Sequence, residues 1–385
     1  MKTEYDVIVV GVGSMGSASC YHLASRGLSV LGLDQFNSPH DQGSHAGQSR
    51  IIRKAYFEHP DYVPLLEKAY SNWRDVESKT DKQIYFSTGL LYAGKPDQVL
   101  IKGVHESANK YNINIESLSA SEAKLKFPRF AIPSDYEILF EPDAGFVTPE
   151  RAIATYIELA KKARAEIHSN EKVNSWNRAG DNNIKVATDK SLYTCKKIIF
   201  TAGAWTEKLI PSLKKSLNVT RQVIVWVNPK DNSAFELGQF PCWMIDDEHE
   251  PGMYYGFPAL DTEKFGNPAG LKLGYHYPGL LSDADKVNRT PEVEEETRLI
   301  NALEKYLPNT YSSTNVLKTC LYTNTPDENF IIDFLPGYKD VIIGAGFSGH
   351  GFKFVSAIGE ILSDLAIDES TALPIAFLNA TRFTG

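Results

Sequence analysis

The sequence lacks the features that define several classes of protein. It has four cysteines in 385 residues, none in a CxxC spacing, and so offers neither a disulfide scaffold nor a cysteine-rich metal site. Its longest apolar runs, such as 7–13 and 341–347, are far shorter than a membrane-spanning helix requires. Acidic residues outnumber basic ones by 48 to 40, and the net charge of -8 disfavours a nucleic acid as partner.

The N-terminal segment and the cysteines also indicate the cellular compartment of the protein. The polar stretch 1–5 leads directly into a predicted strand and leaves no room for the charged and apolar regions of a signal peptide. Isolated cysteines are typical of a reducing compartment. We therefore expect a cytoplasmic protein without membrane contact. We expect no metal, because the histidines and cysteines form no ligand-like cluster.

The patterns that are present change along the chain, which is long enough for two structural units. An apolar strand, a glycine turn and a helix open the sequence, and related strand and turn signals return at 196–205 and 340–366. Between them, alternating runs at 220–227, 252–259 and 270–276 predict an antiparallel sheet rich in aromatic residues.

This arrangement predicts an α/β fold in which a Rossmann-like dinucleotide-binding domain is built from discontinuous segments. An α+β substrate domain with an antiparallel sheet is inserted into it, because parallel-sheet signals bracket the antiparallel ones. We assign residues 1–88, 145–216 and 316–385 to the first domain, and residues 89–144 and 217–315 to the second.

The clearest motif is GxGxxG, formed by Gly11, Gly13 and Gly16 after an apolar strand and at the start of a helix. The first glycine permits the turn, the second lets the backbone approach a pyrophosphate, and the third allows close helix packing. Asp34 ends the second strand about 20 residues later, where a carboxylate can accept hydrogen bonds from a ribose. The motif predicts a dinucleotide site and leaves the choice between NAD and FAD open.

Three further segments carry a resemblance to a known family. They are GSHAGQSRIIRKAY at 43–56, GLKLGYH at 270–276, and CLYTNTPDENFIIDFLPG with GAGFSGHGFKF between 320 and 354. Together with the glycine motif, and in this order over nearly the whole chain, they resemble the monomeric sarcosine oxidase family of amine-oxidising flavoproteins. That family includes N-methyltryptophan oxidases and pipecolate oxidases.

The resemblance implies that the cofactor is FAD and that an 8α-thioether attaches it to Cys320. Because a thiolate is the nucleophile, we expect an electropositive setting around Cys320. Glycines in the loop 347–354 would bring the backbone close to the flavin, and the following helix would offer positive potential to the reduced ring. We assign the following residues to the cofactor: Gly11, Gly13, Ser14, Met15, Gly16, Asp34, Gln35, Ser44, Arg50, Ala202, Gly203, Trp205, Cys320, Phe347, Gly349, His350, Gly351 and Lys353.

The resemblance also implies a substrate site. Arg53 and Lys353 match two cations that hold the carboxylate of an amino acid. Lys272 matches a lysine near flavin N5 that activates dioxygen, which is an electrostatic role. Taken alone, Arg53 and Lys272 would be interpreted as solvent-exposed cations. The other residues that we assign to catalysis are a histidine, two pocket aromatics and a flavin-proximal arginine, namely His276, Tyr255, Tyr322 and Arg50.

The basic segment departs from the bacterial pattern of the family, HHGDTRxIRHAYGEG, and is closer to the pipecolate and sarcosine oxidases. The departures are Ala46, Gln48, Ser49, Lys54 and Phe57. Glu58 still matches the carboxylate of the family. We expect Phe57 to reshape the pocket entrance, so the resemblance does not imply that sarcosine is the sole substrate.

We therefore expect an oxidase of secondary α-amino acids such as sarcosine or other N-methyl amino acids. A hydride equivalent passes to flavin N5, the imine product hydrolyses, and dioxygen reoxidises the flavin to give hydrogen peroxide. The alternatives are an oxidase of cyclic imino acids such as pipecolate and proline, an amine dehydrogenase with another electron acceptor, a flavin-binding protein without turnover, and, last, an NAD-dependent dehydrogenase. The expected partners are the small amino acid and dioxygen, and the resemblance favours a monomer.

Overall fold

The computed structural model describes residues 2–180, 183–277 and 279–383. The strands are β1 (Glu4–Val10), β2 (Val30–Leu33), β3 (Arg50–Ile52), β4 (Tyr85–Ser87), β5 (Leu90–Gly94), β6 (Glu116–Leu118), β7 (Glu137–Glu141), β8 (Gly145–Val147), β9 (Glu166–His168), β10 (Val173–Arg178), β11 (Ile184–Thr188), β12 (Leu192–Phe200), β13 (Asn218–Pro229), β14 (Cys242–Asp246), β15 (Met253–Gly256), β16 (Leu271–His276), β17 (Leu280–Leu281), β18 (Tyr311–Asn324), β19 (Ile331–Phe334) and β20 (Val341–Ala345). The α-helices are α1 (Ser14–Ser25), α2 (Val63–Thr80), α3 (Val99–Tyr111), α4 (Ala120–Lys126), α5 (Pro149–Lys162), α6 (Thr206–Leu209), α7 (Thr262–Phe265), α8 (Val293–Tyr306) and α9 (Val355–Asp368).

The first large sheet has the N-terminal strand near its centre. Strands β9, β2, β1, β12 and β20 run parallel in that order. The edge of β12 away from β1 pairs with β20 near its C-terminal end and antiparallel with β11 near its N-terminal end, and β10 and β19 add antiparallel to β11 and β20. Val7 and Val9 of β1 share a core with α1, α5 and α9, whereas Ile8 and Val10 pack on the opposite face. Burial on both faces explains why β1 is apolar without alternation.

The second large sheet has the order β17, β13, β16, β15, β14, β5, β7, β6, and β18 pairs along β13. Its pairs are antiparallel except for β14 and β5, a parallel pair that the alternating runs did not predict. Leu271 and Leu273 of β16 pack in a core with helix α8. Since side chains alternate along a strand, Lys272 and His276 lie on the face away from that helix.

A small third sheet, β3–β8–β4, holds the basic segment next to helix α5. Arg50 of β3 pairs with Val147 of β8, and α5 begins with Pro149 at its first position and Thr148 as its N-cap. Proline there has the backbone angle that a helix requires and lacks only an amide that would have no partner. The first turn of α5 therefore lies beside the segment that leads into β3.

The strands divide between the two large sheets nearly along the predicted ranges. The first sheet draws on 1–88, 145–216 and 316–385, and the second on 89–144 and 217–315, except that β18 crosses position 316 and belongs to the second sheet over its whole length. The division into domains stays a prediction. In the described ranges, no helix is long and apolar enough to cross a membrane.

Candidate active site

A cavity of about 420 Å³ is lined by residues from both large sheets, a volume in the range of ligand-binding sites. The structure brings together on its wall the predicted residues Gly11, Gly13, Ser14, Met15, Asp34, Gln35, Ser44, Arg50, Arg53, Ala202, Gly203, Trp205, Tyr255, His276, Cys320, Tyr322, Phe347, Gly349, His350, Gly351 and Lys353. Two predicted residues, Gly16 and Lys272, do not line it.

The glycine turn after β1 explains the position of Gly16. Gly11 has φ +92°, and a Cβ on Gly16 would lie 1.9 Å from the Gly11 carbonyl oxygen, so Gly16 packs the helix against the turn. A Cβ on Gly13 would instead meet only His45 Nδ1, at 3.8 Å. Within the part of the chain that the structure describes, no side chain caps the first amides of α1, and those amides can therefore donate to a phosphate.

Asp34, which directly follows β2, stabilises this turn. Its carboxylate accepts hydrogen bonds from the backbone amides of Val12 and Phe36, both at 2.8 Å, and His40 Nε2 lies 3.7 Å away. Burial raises the pKa of Asp34, and the two amides and His40 oppose that shift. The carboxylate thus holds the backbone of the turn as well as lining the cavity.

The second glycine loop, 346–351, lies between β20 and α9. Gly349 has φ +78°, and a Cβ there would lie 2.2 Å from the Tyr322 ring, so only glycine allows this approach. The Lys353 ammonium donates to the His350 carbonyl at 2.7 Å, and the Lys353 carbonyl accepts from Trp73 Nε1 at 3.1 Å. The loop therefore holds the ammonium of Lys353, and Trp73 on α2 holds its backbone carbonyl.

Arg53 and Lys353 converge from distant parts of the chain on one aromatic ring. The Arg53 guanidinium carbon lies 4.3 Å from the centre of the Tyr56 ring, and Lys353 Nζ lies 5.1 Å from it. Arg53 also lies 4.5 Å from the Phe57 ring and donates to both oxygens of Glu58 at 2.7 Å. Phe57 therefore packs on Arg53, and it does not line the cavity.

Burial and mutual charge set the protonation of this group. Burial, followed by the Arg53 charge, lowers the pKa of Lys353 to about 7. Burial opposes the ionisation of Glu58, but Arg53, His350 and Lys353 together outweigh it and lower its pKa to about 2. Burial also lowers the pKa of His350 to about 3. At neutral pH Arg53 and Glu58 form an ion pair and His350 is neutral.

Lys272 lies next to the cavity wall and is only 2% exposed. Its ammonium donates to the carbonyls of Gly47 at 2.7 Å and Ser49 at 2.6 Å, and to the Ser49 hydroxyl at 3.2 Å. It also lies 4.3 Å from the ring of Phe257, which lines the cavity. Arg50 donates to the same Ser49 carbonyl at 2.8 Å, so the two cations share an acceptor.

Basic side chains lie near Cys320, but burial outweighs them and the pKa of its thiol is raised overall. Burial raises its pKa, while Arg50, Lys272 and Arg289 act in the opposite direction. By contrast, burial alone raises the pKa of Cys20. Nearby positive charge favours the thiolate form, so Cys320 differs physically from a cysteine of the apolar core.

Three predicted residues, His276, Tyr255 and Tyr322, form the cavity wall between the Arg53 and Lys353 pair and the Arg50 and Lys272 pair. His276 Nδ1 lies 3.4 Å from the Tyr322 hydroxyl, and burial lowers the pKa of His276 to about 4. A Cβ on Gly274 would lie 2.6 Å from the Tyr255 hydroxyl, so the glycine makes room for that ring. The wall therefore offers a neutral imidazole and two phenols.

Several cavity residues were not assigned to the site from the sequence, because most of them lie on loops with no motif of their own and Lys208 lies on the short helix α6. They are Phe36, His40, His45, Glu58, Glu171, Thr201 and Lys208. Two features of the sequence could have identified members of this set. His45 lies in the GSHAG motif, and Glu58 matches a family carboxylate. Within the described residues, no group of three or more His, Cys, Asp or Glu side chains is arranged to hold a metal ion.

Comparison with known proteins defines the class. Residues 6–365 match the model of the FAD dependent oxidoreductase family, and the chain belongs to that family. It is therefore an FAD-dependent oxidoreductase, and the mixed α/β fold with a Rossmann-like domain is confirmed.

Individual relatives narrow the comparison. The chain is similar to a monomeric sarcosine oxidase of Bacillus sp. (38% identical, covering 99% of this chain and 97% of the relative) and to one of Streptomyces avermitilis (36%, 99% and 98%). It is 33% identical to an N-methyl-L-tryptophan oxidase of Salmonella dublin over 99% of this chain and all of the relative. The resemblance inferred from the motifs is thus confirmed. Among solved structures it is similar to NikD, an unusual amino acid oxidase (26% identity, TM-score 0.85, 98% of each chain).

The residues of the cavity fit an FAD. The Gly13 position leaves open space beside the uncapped N-terminus of α1, where a pyrophosphate needs both backbone approach and amide donors. Thr323 lines the cavity, and its Oγ1 is buried without a hydrogen-bond partner among the described residues. A buried polar atom of this kind is satisfied when a polar group binds beside it.

Proposed function

We propose that this protein is an oxidase of secondary α-amino acids such as sarcosine and other N-methyl amino acids. The observation that carries the proposal is the convergence of Arg53 and Lys353 on the Tyr56 ring, beside a cavity that continues to the glycine turn. Two buried basic side chains at one end of a cofactor site favour a small carboxylate as ligand. The similarity to sarcosine and N-methyltryptophan oxidases supports the same class.

When bound in this cavity, FAD would supply the acceptor for a hydride equivalent from the C–H bond beside the amine and the route by which the electrons reach dioxygen. When its side chain is protonated, Lys353 binds the substrate carboxylate. Arg53 contributes charge and orientation, with Glu58 holding its guanidinium in place through two hydrogen bonds. Anchoring the carboxylate fixes the reacting carbon relative to the cavity wall.

His276 suits a neutral amine substrate. Because its pKa is about 4, the ring is uncharged at neutral pH and does not repel or protonate the amine. It can accept a hydrogen bond from the amine N–H, while Tyr322 and Tyr255 enclose the substrate. Excluding water from this wall strengthens the attraction between the cations and the carboxylate.

Arg50 and Lys272 form the second charged group, and we assign Lys272 to the reaction with dioxygen. When Lys272 is protonated, its positive charge stabilises the negative charge that develops on oxygen. Cys320, near both cations, is the residue that we propose to carry the flavin covalently. We also propose that hydrogen peroxide is the product, and that the protein is monomeric and cytoplasmic.

A substrate panel read by peroxide release tests the proposal. Sarcosine, other N-methyl amino acids, pipecolate and proline are each supplied in air, and in parallel with an artificial dye without oxygen. We expect peroxide from at least one N-methyl amino acid. Turnover of pipecolate or proline alone would reassign the substrate to cyclic imino acids. Turnover with dye but not with oxygen would make the enzyme a dehydrogenase, and no turnover of any substrate would overturn the proposal.

A further inference from the structure

The short segment 47–49 lies between a carboxylate and the Lys272 ammonium. Glu150 Oε1 accepts from the backbone amides of Gly47 at 2.7 Å and Gln48 at 3.2 Å. The carbonyls of Gly47 and Ser49, on the other side of the segment, accept from Lys272. The segment adopts positive φ at Gly47 (+124°) and Gln48 (+63°), a conformation that Gln48 tolerates only with support.

The Gln48 side chain supplies further support. Its amide nitrogen donates to the Pro268 carbonyl at 2.8 Å, and its oxygen accepts from Trp226 Nε1 at 2.9 Å. Trp226 is the register partner of Lys272 on the neighbouring strand. The peptide groups that face Lys272 are therefore held from two directions, by Glu150 on α5 and by the strand that flanks Lys272.

We propose that Glu150 is a positioning residue for Lys272, which orients the ammonium through the peptides of 47–49 and supplies the negative charge that balances it. The inference deepens the proposed function, since it rests on the assignment of Lys272 to the reaction with dioxygen. Glu150 lies at the second position of α5, and Glu150 does not line the cavity. It acts on the reaction only through Lys272 and the basic segment.

The groups that face Lys272 come from four elements. Arg50 lies on β3, Cys320 on β18, Cys242 on β14 and Glu150 on α5. Burial and then Arg50 lower the pKa of Lys272, and Glu150 is the first of the groups that raise it. Removing the Glu150 charge therefore lowers that pKa further, and the ammonium loses its proton at a lower pH.

The variant Glu150→Gln separates charge from geometry. Both hydrogen bonds of Glu150 use one oxygen, Oε1, and a glutamine retains that acceptor while losing the charge. We expect the alkaline limb of kcat/KM for oxygen to move to lower pH by about one unit, which is roughly a tenfold loss at a fixed pH on that limb. The kcat/KM for the amino acid should not change. Glu158→Gln, on the same helix but paired with exposed lysines, is the matched control and should leave both profiles unchanged.

A readout independent of turnover is the titration of Lys272 itself. The lysine Cε resonances of selectively labelled protein identify Lys272 by the signal that is lost in Lys272→Met. In Glu150→Gln that signal should titrate at a lower pH than in the wild type, with an unchanged unfolding temperature showing an intact fold. An unshifted titration together with an unshifted oxygen profile would overturn the inference.

The control Lys272→Met separates this inference from the proposed function. If Lys272→Met reduces turnover with oxygen but not with dye, and Glu150→Gln shifts nothing, the role of Glu150 alone is wrong. If Lys272→Met leaves oxygen and dye turnover equal, the oxygen role of Lys272 is wrong, and the lysine titration still decides whether Glu150 balances its charge. Adding Glu150→Gln to Lys272→Met should have no further effect on the oxygen reaction.

Discussion

The pH dependence of carboxylate binding is the sharpest test of the Lys353 assignment. Burial and the Arg53 charge lower the pKa of Lys353 to about 7, so the ammonium is lost within an accessible pH range. Only the protonated form attracts an anion. A carboxylate ligand should therefore bind most tightly at acidic pH, and its Kd should increase as the pH rises through 7.

The magnitude follows from the strength of the contact. Above pH 7 the Kd should rise about tenfold per pH unit until the pH reaches the pKa of Lys353 in the complex. A hydrogen bond to a charged group contributes about 1.5–3 kcal/mol, so the total rise should be roughly 10- to 150-fold. Glu58, His276 and His350 have pKa values of about 2, 4 and 3, and none of them titrates between pH 6 and 9 in this region.

The assay uses an amine-free carboxylate such as propionate, because a secondary amine would add its own titration. Binding is measured between pH 6 and 9 through the change in flavin absorbance. The variant Lys353→Met should bind weakly at all these pH values, and Lys353→Arg should bind without the limb near 7 because arginine stays protonated. A Kd that is constant from pH 6 to 9 in the wild type would refute the assignment.

Three further predictions concern the cofactor and the ion pair. Cys320→Ala should release yellow flavin into the supernatant after acid precipitation, and flavin that stays with the protein would rule out attachment at Cys320. Arg53→Ala should raise the substrate KM at least tenfold. It should also lower the unfolding temperature, because Glu58 is left buried without its partner at a cost of about 3–5 kcal/mol. Unchanged kinetics would remove Arg53 from the carboxylate site. Gly13→Ala should reduce the FAD content without changing the unfolding temperature of the apoprotein. Gly16→Ala should lower both the FAD content and the unfolding temperature. If the two variants behaved alike, the assigned roles of these glycines would be wrong.

The sequence predicted those parts of the site that depend on local spacing. Gly11, Gly13 and Asp34 lie on consecutive elements of one βαβ unit, so their separation along the chain determines their separation in space. Residues from remote segments, such as Arg53 and Lys353, could be brought together only through the family resemblance. Composition and periodicity contain no information on that convergence.

The sequence could not predict how the charges are balanced. The pairing of Arg53 with Glu58 depends on the turn at 55–58, and the contact of Glu150 with Gly47 joins residues 103 positions apart. Phe57 illustrates the same limit, since we expected it at the pocket entrance and the structure packs it on the Arg53 guanidinium. Side-chain contacts of this kind follow from tertiary packing, which local pattern does not encode.

The balance of charge accounts for two groups of buried side chains at or next to the cavity wall, each with two basic side chains and one carboxylate. A buried cation is stable only when its lost hydration is replaced by hydrogen bonds and opposite charge. Glu58 provides this for Arg53 and Lys353, and Glu150 for Arg50 and Lys272. Because each carboxylate offsets one of two basic groups, each group carries net positive charge when its lysine is protonated. In the proposed function, that charge attracts the substrate carboxylate in the group of Arg53 and stabilises charge developing on oxygen in the group of Lys272, and each carboxylate tunes its cations without abolishing their field.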